Sequence, residues 1–215
     1  MEYRVRHLRF VDYQAGPWKN GRGSTFEVAA STAAVGAQTT PSWHISMATI
    51  DEEAPFSCFP GLVRTLGVVE GAGVELTVDG RTQVVRVGEN SGPFAGNAPA
   101  SARPLEGSAL DLNLMIDPSR ILGRMVAIGT GSHELVGLMM FVVSLADGLE
   151  LRLNDGETLV LPRLDTAVLN LRARPIARLT LSLPDAASST VGAVPDAASS
   201  TGPAHPIAYL LTISR

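Results

Sequence analysis

Apolar and polar residues alternate along short runs of this chain, and almost nowhere do they recur at helical spacing. Val74, Leu76 and Val78 alternate with Glu75, Thr77 and Asp79. Asp79-Gly80 then turns the chain into residues 81–87, because this dipeptide accepts the positive φ angles of a tight hairpin. Trp43, Ile45 and Met47 fall on one face of a strand, and His44, Ser46 and Ala48 on the other. Asp111 and Asn113 likewise share a face, opposite Leu112 and Leu114. No run of about a dozen residues keeps a period near 3.6, and residues 118–124 are the one stretch expected to coil for a turn or two. The pattern predicts an all-β protein with very little helix.

A second regularity is an internal echo. Val68-Val69 leads into Gly73-Val74-Glu75-Leu76-Thr77-Val78-Asp79-Gly80, and Val142-Val143 leads into Gly148-Leu149-Glu150-Leu151-Arg152-Leu153-Asn154-Asp155-Gly156. Two β units of similar build are the simplest reading, against the alternative that any two amphipathic hairpins look alike. The expected division is residues 1–117 and 118–215. A separate tandem copy, Pro184-Asp185-Ala186-Ala187-Ser188-Ser189-Thr190 and again from Pro195 to Thr201, is small and polar. It reads as a flexible surface connection over 184–204, where extra length costs little entropy.

Composition narrows the function classes. With 45% hydrophobic residues in 215, a packed interior is expected. Seventeen Lys and Arg against 21 Asp and Glu leave a net charge of −4, which disfavours nucleic acid as a partner. The single cysteine, Cys58, forms no intrachain disulfide; it sits in an apolar setting and reads as an inert thiol. The N-terminal decapeptide interleaves charges, and the longest oily run, residues 135–146, falls well short of the ~20 residues of a membrane span. A soluble cytoplasmic protein is expected.

Three clusters carry unusual side chains. Gly16-Pro17-Trp18-Lys19-Asn20-Gly21-Arg22-Gly23-Ser24-Thr25 could hold an indole wall beside a cation and an amide, or be a capped surface turn; it lacks the phosphate-loop pattern. Pro55-Phe56-Ser57-Cys58-Phe59-Pro60-Gly61 reads as a stiff aromatic turn, its phenylalanines plugging a barrel end in preference to a ligand role. Arg64 follows in an apolar strand and requires a buried carboxylate or an anionic ligand. Asp111 and Asn113, directed into a barrel, must bond something, and Asp111 could pair with Arg64 or Lys19. His7, His44, His133 and His205 show no metal-ligand spacing, and Ser132-His133-Glu134 is serial rather than triad-like.

In this order, Pro17-Trp18-Lys19-Asn20-Gly21 with Gly23 and Thr25, Trp43 with Ile45-Ser46, Pro55-Phe56-Ser57, Phe59-Pro60-Gly61, Arg64-Thr65-Leu66 and Asp111-Leu112-Asn113-Leu114-Met115 resemble the HutD/Ves family of cupin-like proteins. The resemblance is specific to about residue 117 and thinner beyond, around Asp165. It implies a bicupin of two antiparallel barrel or jelly-roll-like units, without metal or other cofactor, that binds a small anionic metabolite such as N-formimino-glutamate and modulates histidine utilisation. Four positions depart from the family pattern: Arg22 replaces a glycine, Phe26 an arginine, and His44 and Cys58 positions that are often arginine.

The expected ligand-binding residues are Trp18, Lys19, Asn20, Trp43, Ser46, Arg64, Asp111 and Asn113, with no catalytic residue. Lys19 and Arg64 would supply charge, Asn20 and Asn113 directional hydrogen bonds, and a tryptophan an apolar wall. A metal-independent isomerase or hydrolase using Asp111, His44 or Lys19 as base is the alternative, and a plugged interaction module is a third. Open strand edges would also let two copies pair as a homodimer.

Overall fold

The structure, a computed structural model, describes residues 4–17, 23–31, 41–154, 156–171, 176–184 and 206–214. The chain runs through β1 (Arg4–Leu8), β2 (Gln14–Pro17), β3 (Ser24–Ala30), β4 (Trp43–Ile50), β5 (Ala54–Pro55), β6 (Val63–Glu70), β7 (Val74–Val78), β8 (Arg81–Val85), β9 (Phe94–Ala95), β10 (Ala100–Pro104) and β11 (Ala109–Ile116). It continues through β12 (Leu122–Ile128), β13 (Gly131–Val136), β14 (Met139–Ser144), β15 (Leu149–Leu153), β16 (Thr158–Leu161), β17 (Thr166–Asn170), β18 (Ile176–Ser182) and β19 (Ala208–Ser214). Among the described residues one 3-10 turn, Phe10–Asp12, is the only helical element, and no helix is long and apolar enough to cross a membrane.

The strands form four antiparallel sheets whose orders reveal a duplication. The first half holds β2-β3-β4-β11-β6-β9 and β5-β10-β7-β8; the second holds β1-β17-β14-β19-β12 and β13-β18-β15-β16. Adding eight to each strand number converts β4-β11-β6-β9 into β12-β19-β14-β17, and β5-β10-β7-β8 into β13-β18-β15-β16. The echo read from the sequence is therefore β6 to β8 against β14 to β16. Its first turn carries positive φ at both Asp79 (48°) and Gly80 (76°), as a two-residue hairpin between Val78 and Arg81 requires. The result is an all-β molecule of two similarly built halves.

Three apolar clusters hold four layers together. Leu66, Val68, Leu76 and Ala102 fill the space between the two sheets of the first half. Met140, Val142, Leu151 and Leu179 do the same in the second half. Between the halves, Ile45, Met47, Leu112 and Leu114 pack against Phe141, Val143, Tyr209 and Leu211. Each central sheet is thus covered on both faces, which is why β11 is buried at every position and reads as mixed rather than cleanly amphipathic.

Residues 118–121 make one turn and no more: the Arg120 and Ile121 N–H groups donate to the Asp117 carbonyl, Asp117 Oδ1 accepts the Ser119 N–H and hydroxyl, and Leu122 then opens β12. Gly123 lies so close to β11 that a Cβ there would stand 2.6 Å from Ile116 Cγ2, so pairing with β19 decides the conformation. The N-terminal strand β1 also pairs with β17 in the second half, although it precedes every strand of the first. Asp165 fastens it, accepting the Phe10 N–H at 2.8 Å and contacting His7 Nε2 at 2.6 Å. β1 thus covers β17 and becomes the sheet's own edge strand. Most of the 184–204 connection lies outside the described residues.

Candidate functional site

The antiparallel register of β4, β11 and β6 sets three rows across the inward face of the first half. They are His44–Met115–Arg64, Ser46–Asn113–Leu66 and Ala48–Asp111–Val68. Leu66 and Val68 belong to the apolar cluster between the sheets, so the polar side chains of these rows enter the same interior. Arg64, Asp111, Asn113 and Ser46 are all buried there.

Arg64 Nε and Nη2 both donate to Asn113 Oδ1, at 2.8 and 2.6 Å. Asn113 Nδ2 in turn donates to Asp111 Oδ1 at 2.6 Å, and that oxygen also accepts the Ala48 N–H at 2.9 Å. Phe56 lies under the guanidinium, its ring centroid 3.8 Å from Arg64 Cζ, a cation–π contact that fixes the plane of the charge. One end of this chain of bonds is open: Asp111 Oδ2 is buried without a hydrogen-bond partner among the described residues. Arg64 Nη1 takes no part in the bonds to Asn113.

Burial governs the charges. It pushes the Asp111 carboxyl up to about 7, against the opposing pull of Arg64, Asn113 and the Ala48 N–H. It lowers Arg64 to about 10, with Asp111 pulling the other way. Near neutral pH the cluster therefore holds a full positive charge beside a carboxyl poised between its two forms. At the rim, His44 Nε2 contacts Glu27 Oε2 at 3.2 Å.

The donor set does not suit a divalent cation. Among the described residues the one carboxylate buried in this interior stands beside a guanidinium, and no three His, Cys, Asp or Glu side chains converge.

The HutD family profile matches residues 11–188. The chain belongs to the HutD family. It is 34% identical over 118 residues to an uncharacterised 21.2 kDa protein in the hutC 3′ region of Pseudomonas putida, covering 55% of this chain and 61% of that one. It is 32% identical over 114 residues to protein Ves of Citrobacter koseri, covering 50% and 57%. The match thus spans about six tenths of either curated relative. The solved HutD of Pseudomonas fluorescens SBW25 superposes with a TM-score of 0.74 at 26% identity, over 98% of both chains.

Within this HutD-family chain the duplication supplies an internal control. The residue facing Val68 from β11 is Asp111; the residue facing the equivalent Val142 from β19 is Leu210. By the same register Asn113 corresponds to Thr212, and Arg64, four residues before Val68, to Leu138. At these places the second half carries the buried Leu210 and the partly exposed Thr212 and Leu138, so the fold does not demand a buried Asp–Asn–Arg chain. It is particular to the first half.

Of the residues expected to bind ligand, Ser46, Arg64, Asp111 and Asn113 share this interior. Trp18, Lys19 and Asn20 lie outside the described residues. Trp43 does not join them: strand alternation turns it to the other side of β4, where it packs on Phe141 with ring centroids 5.3 Å apart. Cys58 is exposed rather than set in apolar surroundings. Phe56, read as a plug, stacks on Arg64. The His44–Glu27 pair joins β4 to β3 across an irregularity in register between Glu27 and Ala29, which sequence spacing does not encode.

Proposed function

We propose that the first half of this chain binds a small carboxylate-bearing metabolite, with N-formimino-glutamate as the best match, and that binding modulates histidine utilisation. The observation that carries this reading is the buried Asp111 Oδ2, without a hydrogen-bond partner among the described residues, in the same cluster as a guanidinium whose bonds to Asn113 run through Nε and Nη2 and not Nη1. An isolated buried carboxyl oxygen is costly unless a group arrives to bond it. Arg64 Nη1 would take a ligand carboxylate as a charge-assisted hydrogen bond. Asp111, in its neutral form, would donate its proton to a ligand carbonyl or carboxylate, and Ser46 would add a hydroxyl. Asn113 keeps the guanidinium oriented. Family resemblance adds Lys19, Asn20 and Trp18 from the Gly/Pro-rich turn. The encoding of the Pseudomonas putida relative in the hutC 3′ region supports the link to histidine utilisation.

Isothermal titration with N-formimino-L-glutamate tests the reading. Wild type should bind, and Arg64→Gln should bind at least about tenfold more weakly, as expected for losing a charged hydrogen bond. Absence of binding in wild type, or equal affinity in a folded Arg64→Gln variant, contradicts it. A metal-independent enzyme is the second reading, favoured by His44, which has an orienting carboxylate in Glu27 at the rim. It predicts turnover of a histidine-pathway metabolite that His44→Ala abolishes, whereas a binding protein shows none.

A further inference from the structure

The junction between the two halves contains a cavity of about 410 Å³, separate from the Arg64 cluster and on the opposite face of β4. Trp43, Phe141, Val168 and Met139 form its apolar walls, and Arg6, Ser31 and Ser42 lie among its polar lining. Volume and lining fall within the range of small-molecule sites, which are mainly apolar with a few placed polar groups.

Arg6 is the informative residue. On β1 it pairs with Val168, which pairs with Phe141, which pairs with Leu211. All three partners face the core between the halves, so Arg6 stands on that side of the edge strand β1, itself exposed where it lines the cavity. Among the described residues no carboxylate pairs with it: Asp165 is engaged by His7 and Phe10, and Glu27 by His44. Across the cavity the Ser31 hydroxyl oxygen accepts the Ser42 N–H at 2.7 Å, the Trp43 N–H at 3.3 Å and the Ser42 hydroxyl at 3.1 Å. Its own hydroxyl hydrogen is not spent in these bonds. A cation and a hydroxyl therefore flank an aromatic and aliphatic wall.

We infer that this junction is a second ligand site, which takes a small carboxylate carrying an aryl or aliphatic body. The carboxylate meets Arg6, and the body lies along Trp43, Phe141 and Val168. This assigns Trp43 a ligand contact in a place other than the one its sequence neighbours indicate. A charge on an edge strand also discourages unwanted strand pairing, but that role alone predicts no ligand.

3-Phenylpropionate is a suitable probe, titrated by calorimetry and by tryptophan fluorescence in a Trp18→Phe background, so that Trp43 alone reports. The inference predicts saturable binding with a change in Trp43 emission. Replacing the probe by 3-phenylpropionamide, or Arg6 by Gln, should weaken binding at least tenfold, while Arg64→Gln should leave it unchanged. Ala29→Trp, which fills the cavity from β3, should abolish it. No binding at millimolar probe, binding indifferent to Arg6→Gln, or binding lost in Arg64→Gln while retained in Ala29→Trp would each overturn the inference.

Discussion

Asp111 concentrates the chemistry of the first half at a single carboxyl. Its ordinary value near 3.8 is raised to about 7 by burial, so between those limits the folded state holds a proton that the unfolded chain has released. Stability contributed by this group is complete below about pH 4 and is lost as pH rises through about 7, an effect of the order of 4 kcal/mol. Asp111→Asn keeps an Oδ1 acceptor for Ala48 and Asn113 and removes the titration. Urea melts from pH 5 to 8 should show wild type losing stability with rising pH and Asp111→Asn nearly level over that window. A steeper slope in the variant contradicts the assignment. Affinity for an anionic ligand should also fall as pH rises above 7, by up to tenfold per unit, and this dependence should vanish in Asp111→Asn. The co-facing of Asp111 and Asn113 was legible in the sequence from period-2 alternation alone. The same rule sets Trp43 opposite Ser46, so placing both in one site conflicted with it. The unpartnered Oδ2 and the stacking of Phe56 depend on contacts between distant strands, which alternation does not encode.

At the scale of elements, β6 is where the two halves lock. The Tyr209 hydroxyl from β19 accepts the Val68 N–H at 3.1 Å and points at the carbonyls of Val68 and Glu89. Its ring fits only because residue 67 has no side chain: a Cβ there would stand 2.8 Å from Tyr209 Cζ. Tyr209→Phe leaves a buried N–H without its partner and should cost about 1–3 kcal/mol. Gly67→Ala forces the ring aside and should cost a similar amount by overpacking. Both are read as lower urea midpoints with unchanged slope; a neutral Gly67→Ala would mean that the ring has room to move. The hairpins and their duplication were legible, because the Asp-Gly turn and alternating apolar positions act locally. The pairing of β1 with β17 was not, since its register joins residues about 160 apart and rests on Asp165, His7 and Phe10 meeting in space.

For the whole molecule, the four-layer stack depends on the joint between its central sheets. Arg163 bridges it: Nε donates to Glu70 Oε1 at 3.1 Å, Nη1 to the Leu145 carbonyl at 3.1 Å, and Nη2 to the Val69 carbonyl at 2.8 Å. The side chain is partly exposed, so Arg163→Met should lower the melting temperature by only a few degrees. Calorimetry checks whether the single transition broadens, as loosening of the joint predicts. The same stack explains why one half can specialise. The shared core between the halves and the filled interior of the second leave the first half's polar interior a local exception. A crystal structure of the protein soaked with N-formimino-L-glutamate is the most direct test. The account predicts ligand density within hydrogen-bond reach of Arg64 Nη1 and Asp111 Oδ2; a ligand bound only elsewhere, with that interior closed by protein groups alone, would contradict it.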